Sequence, residues 1–301
     1  MPTRYELQAA RRLERLLISR ERQIQAALAD ALGKMRADMG KIYERYAVDG
    51  VLSKAQMTQY NRLATMEAQI LADLNPAIRS NLATIDKLRP QQYQASFFNY
   101  AWTVDQETQI ALKWGVLNKN AVAEALESEF YHISKQRYGM NARFAVRSAV
   151  NDGLIQGKSY QRMARDLRGA INTTYNRALV IARTEGGFAQ SAGQMAAYDT
   201  AAAQGVEGAI TWIATLDGKT RGDHAAMDGM PRGDDGLFHL PGGDRGRFPH
   251  DEMLSAGNRI NCRCDSAFEV TGLEPELRRT REDGIVPNQT YADWVLDRRT
   301  F

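Results

Sequence analysis

The chain has 301 residues, 44% apolar and 25% charged, and its 39 Lys and Arg against 36 Asp and Glu leave a net charge of +3. This composition belongs to a globular chain long enough for two sizeable cores, and it excludes disordered, collagen-like and disulfide-scaffold proteins. The small net charge excludes a dedicated nucleic-acid wrapper, and no apolar run approaches the roughly 20 residues that span a bilayer.

The N-terminal segment MPTRYELQAARRLERL has no apolar stretch of signal-peptide type, so the chain reads as soluble and made in a cytoplasm. No proline falls between Pro90 and Pro231, which favours long helices, whereas five of the eight prolines and 13 of the 24 glycines lie in the last 101 residues. The expected fold class is therefore α+β: a predominantly helical N-terminal and central part, then a small loop-rich β-containing module.

The first helix is predicted over about 4–47. Leu13, Leu17, Ile24, Leu28, Ala31, Met35 and Met39 recur at helical spacing on one stripe, which Arg20 interrupts. Such a stripe packs on neighbouring helices or serves as a partner-binding arm, with Leu13, Leu17, Ile24 and Leu28 as the docking residues. A second helix is predicted over about 53–75, capped by Ser53 and ended by Asn75-Pro76. A third covers 77–88 and stops before Pro90.

Residues 91–114 hold six aromatics (Tyr93, Phe97, Phe98, Tyr100, Trp102 and Trp114) without interleaved basic residues, a pattern of packing rather than of base stacking. Helices follow over about 119–138, 141–155, 160–168 (capped by Ser159) and from Thr173 or Thr174 to about Gly187. Gly157-Lys158-Ser159 follows Gly153 at the wrong spacing and without a preceding strand, so it is no phosphate-binding loop. Strands are predicted at 208–216 and 264–270. The long intervening segment is expected to be functional or tied down internally. The tail after the basic stretch 278–281 is expected to form a helical turn or two anchored by Trp294.

Chemistry-bearing residues converge in that intervening segment. His224, His250, Cys262 and Cys264 are a possible zinc set, but the Cys-x-Cys spacing and the isolated histidines disfavour metal, and no cofactor is expected. A Cys262–Cys264 bridge would be strained, so the thiols are expected to be reduced. Asp223-His224 followed by Asn258 or Asn261 is a partial His-Asn-His nuclease pattern that lacks its last histidine. Arg183 with Glu127-Ser128-Glu129 has the elements of an ADP-ribosyl transfer site in the wrong chain order. His132 reads as structural or exposed.

Taken together, the ordered motifs Gly-Lys-Ser-Tyr, IARTE, TWIATLDGKTRGDHAAMDG, LPGG, INCRC and YADW resemble the phage Mu F-like family of head morphogenesis, or minor capsid, proteins over about residues 110–300. The resemblance implies a helical N-terminal region at 1–110, a head morphogenesis domain at 111–275 (helical 111–204, β and loop 205–275) and a tail at 276–301. It also implies a motif set that builds the module and performs no catalysis: Arg183, Glu185, Trp212, Asp217, Thr220, Arg221, His224, Asp228, Gly229, Asn261, Cys262, Arg263 and Cys264. Some family members carry cysteines where Arg221 and His224 stand here, a departure that weighs further against metal.

Arg183 is expected to need a carboxylate or carbonyl partner, with Asp217 or a backbone carbonyl of the long loop as candidates, and Cys262 and Arg263 are expected to point to opposite sides of the returning strand. The implied role is non-enzymatic assembly of the phage head near the portal vertex. The implied partners are portal, capsid or scaffolding proteins and packaged DNA, with no membrane, in the virion head and the host cytoplasm. The alternative is a metal-dependent nuclease or toxin-like enzyme using the His224, His250, Cys262 and Cys264 region.

Overall fold

A computed structural model describes residues 3–215 and 217–272 in full, and the backbone of 277–280 and 284–287. Trp294, and the side chains of the basic stretch 278–281, lie outside the described residues.

The first helix, α1 (Arg4–Tyr46), starts where Thr3 and Glu6 exchange hydrogen bonds. The Thr3 N–H donates to Glu6 Oε2 at 2.9 Å, and the Glu6 N–H donates to Thr3 Oγ1 at 3.3 Å. This reciprocal pair satisfies two amides at a helix start that have no intrahelical partner. A turn through Asp49 and Gly50, both left-handed, leads to α2 (Lys54–Thr58). Ser53 caps α2 in a capping box with Gln56, as its position in the sequence predicts.

The prediction of one helix over 53–75 and another over 77–88 needs correction. After α2 the chain makes a short 3-10 turn at Gln59–Asn61, with Tyr60 and Asn61 left-handed. It then forms α3 (Arg62–Thr108), which runs unbroken through Pro76 and Pro90. Each interior proline forfeits a hydrogen bond and costs about 3 kcal/mol. The helix persists because buried residues continue across both prolines: Ile70, Leu74, Ala77, Ile78, Ile85 and Leu88 before Pro90, and Tyr93, Phe97, Tyr100 and Val104 after it. Asn75, expected to end the helix, instead accepts from Arg143 Nε at 2.8 Å.

Two further helices are merged relative to expectation. After α4 (Lys119–Ala125), the predicted break at 139–141 is absent, because Gly139 lies buried inside α5 (Glu129–Ile155). The predicted stop at Arg168 and new start at Thr173 or Thr174 are also absent: α6 runs from Tyr160 to Ala202. Thr173 and Thr174 donate their hydroxyls back to the Gly169 and Ala170 carbonyls at 3.1 and 2.9 Å, so neither caps a new helix.

The chain groups into two units that interleave along the sequence. One comprises Ser19–Asp86 and Glu129–Ala182 and is built from α-helical segments. Within it, Ile24, Leu28, Met35 and Met39 are fully buried. The other comprises Met1–Ile18, Lys87–Ser128 and Arg183–Phe301.

The core of this second unit joins Leu13, Tyr93, Phe97, Tyr100, Phe188, Tyr198, Trp212, Phe238 and Phe268. The aromatic stretch thus packs inward as expected, with Phe98 its exposed exception. Of the docking stripe proposed on α1, Leu13, Ile24 and Leu28 are buried in cores of this chain, and Leu17 is half-buried. The residues are apolar at helical spacing because they are core.

In the same unit β1 (Gly208–Ile213) pairs antiparallel with β4 (Asp265–Val270), bringing Trp212 opposite Ser266 and Ile210 opposite Phe268. Between them lie α7 (Gly222–Ala226), the two-residue strands β2 (Phe238–His239) and β3 (Arg245–Gly246), and α8 (Ala256–Arg259). Strands β5 (Leu277–Thr280) and β6 (Gly284–Pro287) pair with each other. The architecture is α+β and predominantly helical.

Candidate functional site

The segment between β1 and β4 is tied down by its turns. Asp228 Oδ1 accepts from the Ala214 N–H at 2.8 Å. Gly229, at φ 74°, takes a backbone conformation that favours glycine, and its N–H donates to the Trp212 carbonyl at 2.8 Å. The Trp212 N–H donates to Met230 O at 2.9 Å and the Arg232 N–H to Ile210 O at 2.7 Å. Residues 229–232 thereby satisfy the edge of β1 opposite β4. The LPGG motif supplies the β2–β3 hairpin turn, with Gly243 at φ 92°.

The IARTE motif of α6 works through its last two residues. Glu185 and Arg259 are both buried, and Arg259 Nη2 donates to Glu185 Oε1 at 3.1 Å. Arg89 Nε lies 3.1 Å from Glu185 Oε2, and Glu252 lies 3.2 Å from Arg259. Thr184 Oγ1 accepts from the Asn261 N–H at 3.0 Å.

Of the partners expected for Arg183, Asp217 is not one: Arg183 is exposed, and Asp217 is taken by Arg263. Asp217 pairs with Arg263, whose Nη2 donates at 2.8 Å, and accepts from the Lys219 N–H at 2.9 Å. The Arg263 hydrogen bond holds the Asp217 carboxyl down at about 2, against the upward push of burial. Arg259, the arginine that Glu185 buries, belongs to a four-residue helix and carries no sequence signal for this role.

These contacts fix the backbone of INCRC. Arg221 Nη2 donates to Ile260 O at 2.6 Å, and Thr215 Oγ1 donates to Arg263 O at 2.7 Å. Thr220 Oγ1 donates to Thr215 O. Cys262 and Cys264 point inward while Arg263 is half-exposed, the alternation expected of that segment.

Inside, His224 on α7 faces both thiols. Its Nδ1 stands 3.3 Å from Cys264 Sγ and 3.5 Å from Cys262 Sγ, and all three side chains are buried. Trp212 packs edge-on to the His224 ring with centroids 5.4 Å apart. Burial raises the Cys262 thiol, but hydrogen bonds within the pair and the Arg221 charge outweigh it and leave the thiol below its usual value. The Cys264 thiol is pushed well above, by its hydrogen bond to Cys262 and by burial.

The structure therefore divides the four residues that sequence reading groups together. His250 stands apart from the trio, its Nε2 3.0 Å from the Cys264 carbonyl. A carbonyl only accepts, so Nε2 carries the proton. Burial holds the His250 imidazole down at about 4, leaving it neutral at pH 7. Gly187 makes room for this ring, since a Cβ there would lie 2.5 Å from it.

The nuclease pattern does not assemble. His224 is fully buried, Asn261 points out, and Asn258 Nδ2 donates to Asp244 at 2.9 Å. His132 is exposed, and His239 is exposed beside Asp235 at 2.8 Å. No helix among the described residues is long and apolar enough to cross a membrane.

Residues 145–267 match the family described as Phage Mu protein F like protein, a region that contains Glu185, His224, Arg259 and both cysteines. The chain is 27% identical over 297 residues to Minor head protein GP7 of Bacillus phage SPP1, covering 95% of each chain. It is 28% identical over 265 residues to the NAD(+)--arginine ADP-ribosyltransferase EFV of Enterococcus faecalis, covering 86% of this chain and 53% of that relative, about half its length. No solved structure matches the chain. With a module that folds around the same ordered motifs, the chain is similar to the phage Mu F-like family over residues 145–267.

Proposed function

We propose that this protein is a minor head protein of a tailed bacteriophage, acting in procapsid assembly and head morphogenesis at or near the portal vertex. The observation that carries the reading is the similarity to the SPP1 minor head protein, which runs through 95% of both chains and so includes the N-terminal helices as well as the loop module. The geometry supports a scaffolding role for the motif. Thr184, Glu185, Asp217, Thr220, Arg221 and Asp228 all hold backbone or buried charge within the module.

The protein acts without catalysis in this reading. His224, His250, Cys262 and Cys264 are buried away from a macromolecular substrate. The transferase name belongs to a relative of which this chain spans about half. Contact with packaged DNA is the finest part of the proposal. Its support is the basic stretch at 11–22, and such contacts weaken steeply with salt because phosphate binding releases counterions.

The test combines a pull-down of the full chain with its cognate portal protein, over a salt series, with assay of its incorporation into procapsids. Association and incorporation are expected. A chain that enters no particle, yet cleaves DNA with metal or transfers ADP-ribose from NAD to an arginine acceptor, overturns the proposal in favour of an enzyme.

A further inference from the structure

We propose that His224, Cys262 and Cys264 form a structural zinc site, with His224 Nδ1 and the two Sγ atoms as ligands. This goes against the disfavour that the Cys-x-Cys spacing alone suggests, and it stands on geometry that spacing does not disclose. The three donor atoms lie within 4.8 Å of one another, and the two nitrogen–sulfur separations are 3.3 and 3.5 Å. Ligands at the usual zinc distances, seen at the tetrahedral angle, stand about 3.6 Å apart for sulfur and nitrogen and about 3.8 Å apart for two sulfurs. Two edges of the trio therefore already have the spacing of a zinc tetrahedron, and the sulfur–sulfur edge lies within 4.8 Å.

Three further observations favour a metal over chance proximity. The ligands come from two elements far apart in sequence, α7 and the segment before β4, and each is anchored separately. Arg221 at the start of α7 holds the Ile260 carbonyl, Thr184 holds the Asn261 amide and Thr215 holds the Arg263 carbonyl. Such independent anchoring gives the preorganised first shell that a metal site requires.

Second, the donors are two sulfurs and one imidazole, the soft and borderline set that selects zinc over the oxygen-seeking cations. Third, a disulfide between residues one apart would be strained, so the thiols remain available as ligands. The fourth position falls to a water or to a ligand outside the trio. His250 does not fill it: its protonated Nε2 is committed to the Cys264 carbonyl, its Nδ1 lies against Gly187 of α6, and it stands outside the converging trio. In this role the metal cross-links α7 to the β4 strand and closes the long segment between them, which no disulfide does in this chain.

The test uses the full-length chain, expressed with zinc in the medium and dialysed against metal-free buffer. Elemental analysis is expected to find about one zinc per chain. Cobalt(II) added to the stripped protein is expected to give intense thiolate-to-cobalt charge-transfer absorption. C262S and C264S are each expected to lower that absorption by about half, one thiolate of the two being lost, and H224A to lower the bound zinc several-fold.

Because such variants can unfold, the wild-type cobalt spectrum carries the test by itself. A folded wild-type chain with both thiols free, no zinc and no charge-transfer band overturns the site. A folded H250A variant is expected to keep its metal, and loss of metal from it overturns the three-residue assignment.

Discussion

Arg259 Nη2 donates to Glu185 Oε1 at 3.1 Å, with the two side chains 2% and 1% exposed. This pair ties the middle of α6 to the end of the long segment between β1 and β4. A buried ion pair contributes less net stability than its Coulomb energy suggests, because both ions lose their hydration. Removing one partner alone is different, because it strands the other charge. Glu185→Ala, which leaves Arg259 and Arg89 without this carboxylate, is expected to destabilise the fold by about 3–5 kcal/mol. The midpoint of urea unfolding measures this, and a loss under about 1 kcal/mol contradicts it.

Three glycines of α6 predict a graded series. At Gly193 a Cβ would stand 2.3 Å from the Tyr93 carbonyl oxygen, and at Gly187 it would stand 2.5 Å from the His250 ring. Backbone yields less readily than a ring, so Gly193→Ala is expected to cost more than Gly187→Ala, with both in or above the range of about 1–3 kcal/mol typical of overpacking. Gly169 has open space around it, so Gly169→Ala is expected to stabilise by up to about 1 kcal/mol through helix propensity. Thermal unfolding of the three variants checks both the order and the change of sign.

A pH prediction follows from Glu6. Its Oε1 accepts from Tyr198 OH at 2.9 Å and from the Phe268 N–H at 3.1 Å, joining α1 to α6 and β4. Burial first, and then the nearby Glu107 charge, raise its carboxyl from 4.5 to about 8. Half-burial raises Glu107 to about 7, and burial raises Asp265 to about 6 against the lowering hydrogen bonds from the Ser266 N–H and Tyr100.

A carboxyl raised in the folded state contributes stability that is fully present below the unfolded value and is lost as pH rises through the folded value. His250, held down at about 4, opposes this only below its ordinary 6.5, where acid charges the unfolded imidazole. Between pH 6.5 and 8 the carboxyls therefore dominate, and stability is expected to fall as pH rises. Glu6→Gln is expected to flatten that slope. Denaturant midpoints across the window measure it, and an unchanged slope in the variant contradicts the assignment.

The α1 stripe separates core from contact surface. Leu13→Ala and Ile24→Ala are expected to cost about 2–5 kcal/mol each, as buried truncations do. Phe144, 72% exposed on α5, is expected to tolerate Phe144→Ser within about 0.5 kcal/mol. Chemical denaturation distinguishes these. A stable Leu13→Ala variant that fails only in particle incorporation would restore the stripe as a docking surface.

The sequence by itself determined the elements whose signals are local. The apolar spacing and the absence of proline and glycine between Pro2 and Gly33 predict α1 to within a residue at its C-terminus. Ser53 and Gln56 predict their cap, Asp228-Gly229 its turn, and the alternation in GAITWI and DSAFEV the two strands that pair.

What the tertiary structure decided depends on partners distant in sequence. Pro76 and Pro90 read as helix ends because their local cost is large, yet a buried stripe on both sides holds α3 together. Thr173 and Thr174 read as caps because a hydroxyl serves either a free amide or a carbonyl one turn back, and only packing along α6 chooses between them. Arg183 carries the motif's charge but Arg259 is the arginine buried against Glu185, because burial belongs to the place where the returning loop meets the helix.

The His224, Cys262 and Cys264 constellation is decided in the same way. Cys-x-Cys spacing is weak evidence along a chain, and it becomes three converging donors only when Arg221, Thr184 and Thr215 fix the backbone around them.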